Sequence, residues 1–219
     1  MKMKNINKIY ARLEHNQPTF EETDDEWTAN GLNSTPFKAL VSVSLSTMTY
    51  SSRVIKACVP LYQKASTPEE ILKLDKEELR ETIKPVAHYN RKTENLKKMC
   101  QQIIDDFDGK VPSNRKDLLR LKGVGQKCVD IMMNFEFNED SIAVDTHVFR
   151  VLTRLGIINT NSYEKASKYI NDITPKKYKK HAHERLIGLG MNVCHSRKPN
   201  CSNCVLTDLC DFYQKNYDI

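Results

Sequence analysis

Four cysteines near the C-terminus, Cys194, Cys201, Cys204 and Cys210, stand in the pattern Cys-x6-Cys-x2-Cys-x5-Cys. Four thiolates this close together suit a single metal centre in a reducing compartment. A Cys-x2-Cys pair does not by itself separate zinc from iron–sulfur, and His195 beside Cys194 offers zinc a competing ligand. The remaining cysteines, Cys58, Cys100 and Cys128, are scattered through helical-looking segments and read as small core residues.

A second chemically pointed stretch is Leu118-Leu119-Arg120-Leu121-Lys122-Gly123-Val124-Gly125-Gln126-Lys127. Gly-x-Gly alone only turns a chain. Here a helical pattern flanks it on both sides and Val124, between the glycines, can plug the core, so the stretch reads as a helix-hairpin-helix. Gly123, Val124, Gly125 and Gln126 would present amides at a helix N-terminus, a site suited to a DNA phosphate. Such contacts position a duplex without reading its bases.

Lys127 falls in the first turn of the second hairpin helix. Eighteen residues on (145 − 127), the apolar run Ile142-Ala143-Val144 ends in Asp145-Thr146-His147, an acid where another helix begins. Lysine attacks only when neutral, and at an ordinary pKa of about 10.4 roughly one molecule in a few thousand is neutral at pH 7. A helix N-terminus and partial burial both disfavour the ammonium. A nearby carboxylate can accept its proton, or stabilise cationic character as a glycosidic bond breaks. The plain alternatives are a solvated lysine and an N-capping aspartate.

The elements that must hold these groups are helical. Thr35-Pro36 starts a helix whose apolar face takes in Phe37, Leu40, Val41, Leu45 and Met48. Thr67-Pro68-Glu69-Glu70 has capping-box spacing, and Asp75 with Glu78 repeats it. Leu96, Met99, Cys100, Ile103, Ile104 and Phe107 make an amphipathic stripe that Asp108-Gly109 stops. Further helices are expected over 126–134, 146–155, 162–173 and 181–189. The pattern gives an all-α protein of about ten helices, and the fold expected for it has two helical lobes. The hairpin belongs to a bundle over 30–139, and 1–29 joins 140–219 as the second lobe with the cysteines. Lys127 and Asp145 are expected to face each other across a cleft between the lobes.

Bulk properties bound the rest. With 39% hydrophobic and 28% charged residues, the 219-residue chain is of ordinary globular composition. No apolar run is long enough to span a bilayer, and nothing after Met1 reads as a secretory h-region. A bacterial cytosolic location and no membrane partner are expected. Net charge is a mild +6, but the stretch from Lys176 to Lys198 is strongly basic: Lys176, Lys177, Lys179, Lys180, Arg185, Arg197 and Lys198 face the single acid Glu184. The segment from Glu21 to Glu26 is acidic.

The hairpin through Lys127, followed by Ile142-Ala143-Val144-Asp145-Thr146-His147, resembles the bacterial endonuclease III family. The likeness extends through Ala11-Arg12-Leu13-Glu14, Thr35-Pro36-Phe37, Tyr89-Asn90 with Lys92, and the C-terminal cysteines. It implies a monomeric helix-hairpin-helix DNA glycosylase that flips a damaged, oxidised pyrimidine out of double-stranded DNA. Lys127 would be its Schiff-base nucleophile and Asp145 its catalytic carboxylate, with β-elimination nicking the strand at the abasic site. It also implies a 4Fe–4S cluster on Cys194, Cys201, Cys204 and Cys210, whose first loop offers Arg197 and Lys198 to DNA phosphates. The sister branch of adenine-mismatch glycosylases lacks this lysine.

Two positions depart from the family pattern. Where the family has glutamine in Leu-Ser-x-Gln, this chain reads Leu45-Ser46-Thr47-Met48, and where an apolar wedge commonly precedes Tyr-Asn it has His88. Both would help fill the gap left by a flipped nucleotide. A thioether can wedge between bases but cannot address a base edge as an amide can, so an altered opposite-base preference is expected. The competing readings are that Met48 joins the core stripe and His88 is ordinary surface, that the chain is a non-catalytic binder, or that its lesion is a mismatch or an alkylated base.

Overall fold

In the computed structural model, residues 5–17, 19 and 25–217 are described. Part of the acidic N-terminal segment, Glu21 and Glu22 included, lies outside them. Among these residues there are thirteen α-helices and no strands, three more than the periodicity suggested.

The helices are α1 (Ile6–Asn16), α2 (Glu26–Ala29), α3 (Pro36–Leu45), α4 (Ser51–Lys64), α5 (Pro68–Lys73), α6 (Lys76–Thr82), α7 (Tyr89–Phe107), α8 (Arg115–Leu118), α9 (Gln126–Ile131), α10 (Thr146–Arg154), α11 (Tyr163–Ile173), α12 (Lys176–Asn192) and α13 (Asp211–Tyr217). Side chains written into the sequence start most of them. Thr35 Oγ1 accepts the Lys38 amide, Thr67 Oγ1 that of Glu70, and Asp75 Oδ1 those of Glu77 and Glu78. At the far end of α7, Asp108 (φ 51) and Gly109 (φ 74) turn left-handed and stop the helix.

The chain forms two compact units, 1–23 with 139–219, and 24–138. The unit 24–138 is organised round α7, against which α5 and α6 pack, with α3, α4 and α9 completing a core that includes Leu40, Leu61, Met99 and Val129. Cys58, Cys100 and Cys128 are buried there, where burial pushes their thiols above the ordinary range. In the other unit α10 packs on α12, and α12 on α1, around Tyr10, Leu13, Val148, Leu152 and Leu186.

Two helices differ from their expected spans. The helix read as 126–134 stops at Ile131 and widens into a π turn, Met132–Glu136, closed by the Phe137 amide on the Met132 carbonyl at 3.1 Å. The extra residue in that turn keeps Met132, Met133 and Asn134 all buried. The helix read as 181–189 begins five residues earlier, at Lys176 behind Pro175, because Tyr178 supplies an inward anchor against α1, stacking on Tyr10. Within it Arg185 is not part of a basic face: it is buried and pairs with Glu14 at 3.2 Å. No helix among the described residues is long and apolar enough to cross a membrane.

Candidate nucleic-acid interface and cluster loop

In the unit 24–138, α8 and α9 are the two arms of the hairpin. Between them Gly123 adopts φ +85, and Val124 turns inward, buried, with its amide on the Leu121 carbonyl. The glycine is required twice over. Its backbone is left-handed, and a Cβ there would meet the Cβ of Asn95 at 3.0 Å. Gly125 caps α9 with no side chain, leaving first-turn amides facing outward beside exposed backbone. Lys127, half-buried, sits in that turn after Gln126.

Three side chains that the sequence reading passed over hold the hairpin. The Gln102 amide works as a clip: its Nε2 donates to the Arg120 carbonyl at 3.1 Å and its Oε1 accepts the Lys122 amide at 2.7 Å. Arg115 on α8 pairs at 2.7 Å with Asp130 on α9, a fully buried carboxylate that Gln126 also donates to. A buried pair of this kind ties the two arms together, and losing one partner would strand the other charge.

The turn after α3 corrects one expectation. Met48 is not on the helical face with Leu45: the helix ends at Leu45, and Met48 is 77% exposed with φ 55. The cause is local. Ser44, Ser46 and Thr47 direct their hydroxyls at the carbonyls of Val41, Val43 and Ser44, competing with continuation of the helix. Tyr50, two residues on, is 83% exposed. His88 is also exposed and left-handed, at φ 57, immediately before α7. Lys92 spans the gap between these turns: its Nζ donates to the Leu45 carbonyl (2.8 Å), the Thr47 carbonyl (2.7 Å) and Thr49 Oγ1 (3.2 Å). Burial, with Arg91 and Lys127 as cationic neighbours, lowers its pKa to about 8.

In the other unit Asp145 caps α10. Its Oδ1 accepts both the His147 amide (2.9 Å) and the Val148 amide (2.8 Å), leaving Oδ2 out of the cap. The buried run leading to it is held by side chains standing in for a strand partner. Asn171 bonds both the amide and the carbonyl of Ile142, and the ring of His183 meets the Ala143 carbonyl at 2.9 Å.

The same helix grips the cysteine loop. Arg150 donates to the Gly190 and Cys194 carbonyls. One turn on, Arg154 donates to the sulfur of Cys194 (3.2 Å) and to the carbonyls of His195 and Ser196, with its guanidinium over the Phe212 ring. Neither arginine stood out in the sequence; their spacing of four along one helix (154 − 150) is the only trace. Cys194, Cys201, Cys204 and Cys210 line one small cavity with Arg154 and Phe212. Burial first, then the other sulfurs, pushes Cys201, Cys204 and Cys210 above the ordinary thiol range, a cost that a polynuclear cationic core offsets. Four thiolates round one cavity are a donor set that fits an iron–sulfur cluster. Arg197 and Lys198 are exposed on the loop, Lys198 at φ 50. Across the loop, Asp208 is held well below the usual carboxylate range by Arg12 and Lys8 of α1.

Fold and hairpin together define a class, and residues 41–176 match the HhH-GPD superfamily of base excision DNA repair proteins. Residues 194–210 match the iron–sulfur binding domain of endonuclease III. The chain is 36% identical to endonuclease III of Escherichia coli strain K12 over 209 residues, 95% of each chain. It is 37% identical to that of Haemophilus influenzae over 180 residues, 82% of this chain and 85% of the relative. A solved trapped endonuclease III–DNA covalent intermediate superposes with a TM-score of 0.85 at 31% identity, covering 97% of this chain and 99% of the other. A thermostable thymine-DNA glycosylase gives 0.82 at 26% identity, covering 96% and 97%. The chain belongs to the endonuclease III family, and is a base-excision repair DNA glycosylase and abasic-site lyase with a 4Fe–4S cluster.

Proposed function

We propose that this enzyme removes damaged pyrimidines, oxidised ones foremost, from double-stranded DNA and nicks the resulting site through a Schiff base on Lys127. The observation that carries the reading is a half-buried lysine in the first turn of α9, directly behind the outward-facing hairpin. The hairpin amides of Gly123, Gly125 and Gln126 take a backbone phosphate while Val124, its own amide held by the Leu121 carbonyl, anchors the turn from beneath, and Arg197 and Lys198 take other phosphates, which makes binding salt-sensitive. Met48 and His88, displayed on left-handed turns, fill the space of the extrahelical nucleotide, and the exposed ring of Tyr50 offers a neighbouring base a stacking face.

The neutral Lys127 amine attacks C1′ of the sugar as the C1′–N bond to the base breaks, and the departing base anion receives, by way of Asp145, the proton that the attached amine sheds. The Asp145 carboxylate stabilises the cationic sugar and takes the proton the lysine sheds. Ring opening gives the protonated imine, which makes the C2′ hydrogen acidic; its loss expels the 3′ phosphate and cuts the strand. Cys194, Cys201, Cys204 and Cys210 hold the cluster, which supplies a rigid staple for the loop bearing Arg197 and Lys198. The protein acts as a monomer in the bacterial cytosol.

Borohydride trapping tests this directly. Wild type should cross-link to duplexes carrying thymine glycol and to plain abasic sites, whereas Lys127→Ala should not. Equal trapping by both proteins would remove the assignment. A second reading, a mismatch or alkylated base as the substrate, draws on the family glutamine being Met48 here. It predicts faster excision from such duplexes than from thymine glycol in the same panel.

A further inference from the structure

We propose that Lys92 is a positioning residue that locks the turn after α3 to the start of α7, so that Met48 and His88 meet the duplex at a preset spacing. This rests on the reading of those two residues as fillers of the gap.

The geometry is a closed ring. Through its backbone amide Lys92 holds the His88 carbonyl at 3.0 Å, as the first hydrogen bond of α7. Through its ammonium it holds Leu45, Thr47 and Thr49, on both sides of Met48. Thr49 closes the ring, its Oγ1 accepting the amide of Ala87 at 3.0 Å, one residue before His88. Two of the acceptors are backbone carbonyls, that of Leu45 at the last residue of α3 and that of Thr47 in the turn beyond it. Both displayed residues adopt the left-handed conformation that L side chains avoid, and such strain persists only where surroundings over-determine it. The ring supplies that determination. One turn on along α7, Asn95 packs beneath Gly123, so the same helix also sets the level of the hairpin.

The ammonium has three protons for three acceptors. Around it stand Arg91 on its own helix and Lys127 and Cys128 on α9, while Lys122 lines the same small cavity. Because its pKa in the folded chain lies near 8, below the ordinary lysine value, the third proton is present below that pH and lost above it. The ring is therefore complete at neutral pH and incomplete in alkali.

The test uses the cluster-loaded enzyme in single-turnover excision of one lesion opposite each of the four bases. Lys92→Met should compress the ratio of fastest to slowest opposite base, and raise KM for damaged DNA, by about tenfold, the scale on which small misplacements act. Trapping on a preformed abasic site at saturating DNA should change far less. Lys92→Arg should restore most of the ratio, and Thr49→Val, which removes the ring's closing oxygen, should reproduce part of the loss should Lys92→Met not fold. In wild type, but not in Lys92→Met, the ratio should fall as pH rises through 8. If Lys92 acts through the turn, adding Met48→Ala to Lys92→Met should cost no more than Lys92→Met alone. Additive losses, or an unchanged ratio in folded Lys92→Met while Met48→Ala alters it, overturn the inference and leave the gap-filling reading standing. No effect of Met48→Ala on the ratio overturns both.

Discussion

Asp145 caps α10, and the proposed mechanism gives it a second role that a pair of substitutions separates from the first. As an N-cap, its Oδ1 satisfies two first-turn amides of α10, at 2.9 and 2.8 Å. Removing such a cap costs about 1 kcal/mol, within a range of roughly 0.5–2. For a chain of this size that lowers Tm by about 2–4 °C per kcal/mol. Asp145→Ala should therefore melt several degrees below wild type. Asp145→Asn keeps an oxygen in the same place and is as good a cap, so its Tm should stay within about 1–2 °C. The chemistry asks for something the cap does not, a negative charge beside a sugar becoming cationic and an acceptor for a proton. Losing a general base costs about 10²–10⁴ in rate, and Asn supplies neither function. Single-turnover excision of thymine glycol, read beside thermal unfolding, should show Asn folded like wild type and as slow as Ala. An Asn variant excising at the wild-type rate would reduce Asp145 to a cap. Equal melting of the two variants would refute the account of the cap instead.

Two further substitutions probe the supports. Gly123→Ala places a side chain at φ +85 and 3.0 Å from Asn95 Cβ, so it should lose about 1–2 kcal/mol of stability and bind duplex DNA more weakly at every sequence; an unchanged melting curve and affinity would contradict the reading of the turn. Arg154→Met leaves the sulfur of Cys194 and the carbonyls of His195 and Ser196 without their donor, so visible absorbance of the cluster should decay faster under a chelator, with Arg154→Lys recovering little because one ammonium cannot span all three acceptors.

The candidate groups for the chemistry were legible because their signals are local. Gly-Val-Gly between two helical patterns, an acid at a helix start, and four cysteines within one short loop each declare themselves over a few residues. Helix starts were legible for the same reason, since Thr35, Thr67 and Asp75 cap through bonds three residues long. Met48 marks where that reasoning stops. Helical periodicity carried it onto the apolar face, yet the hydroxyl bonds of Ser44, Ser46 and Thr47 end the helix before it, and a lysine 44 residues away (92 − 48) holds the turn that exposes it. Gln102, Arg154 and Asn171 are ordinary polar residues in sequence, and each becomes a clamp only because packing brings a distant backbone carbonyl or amide within reach. Sequence by itself pointed to the candidate reacting groups and determined where helices begin, because both signals depend on neighbours along the chain. Tertiary structure alone decided which side chains hold those atoms in place, because an unpaired buried amide or carbonyl takes its partner from whatever the fold delivers.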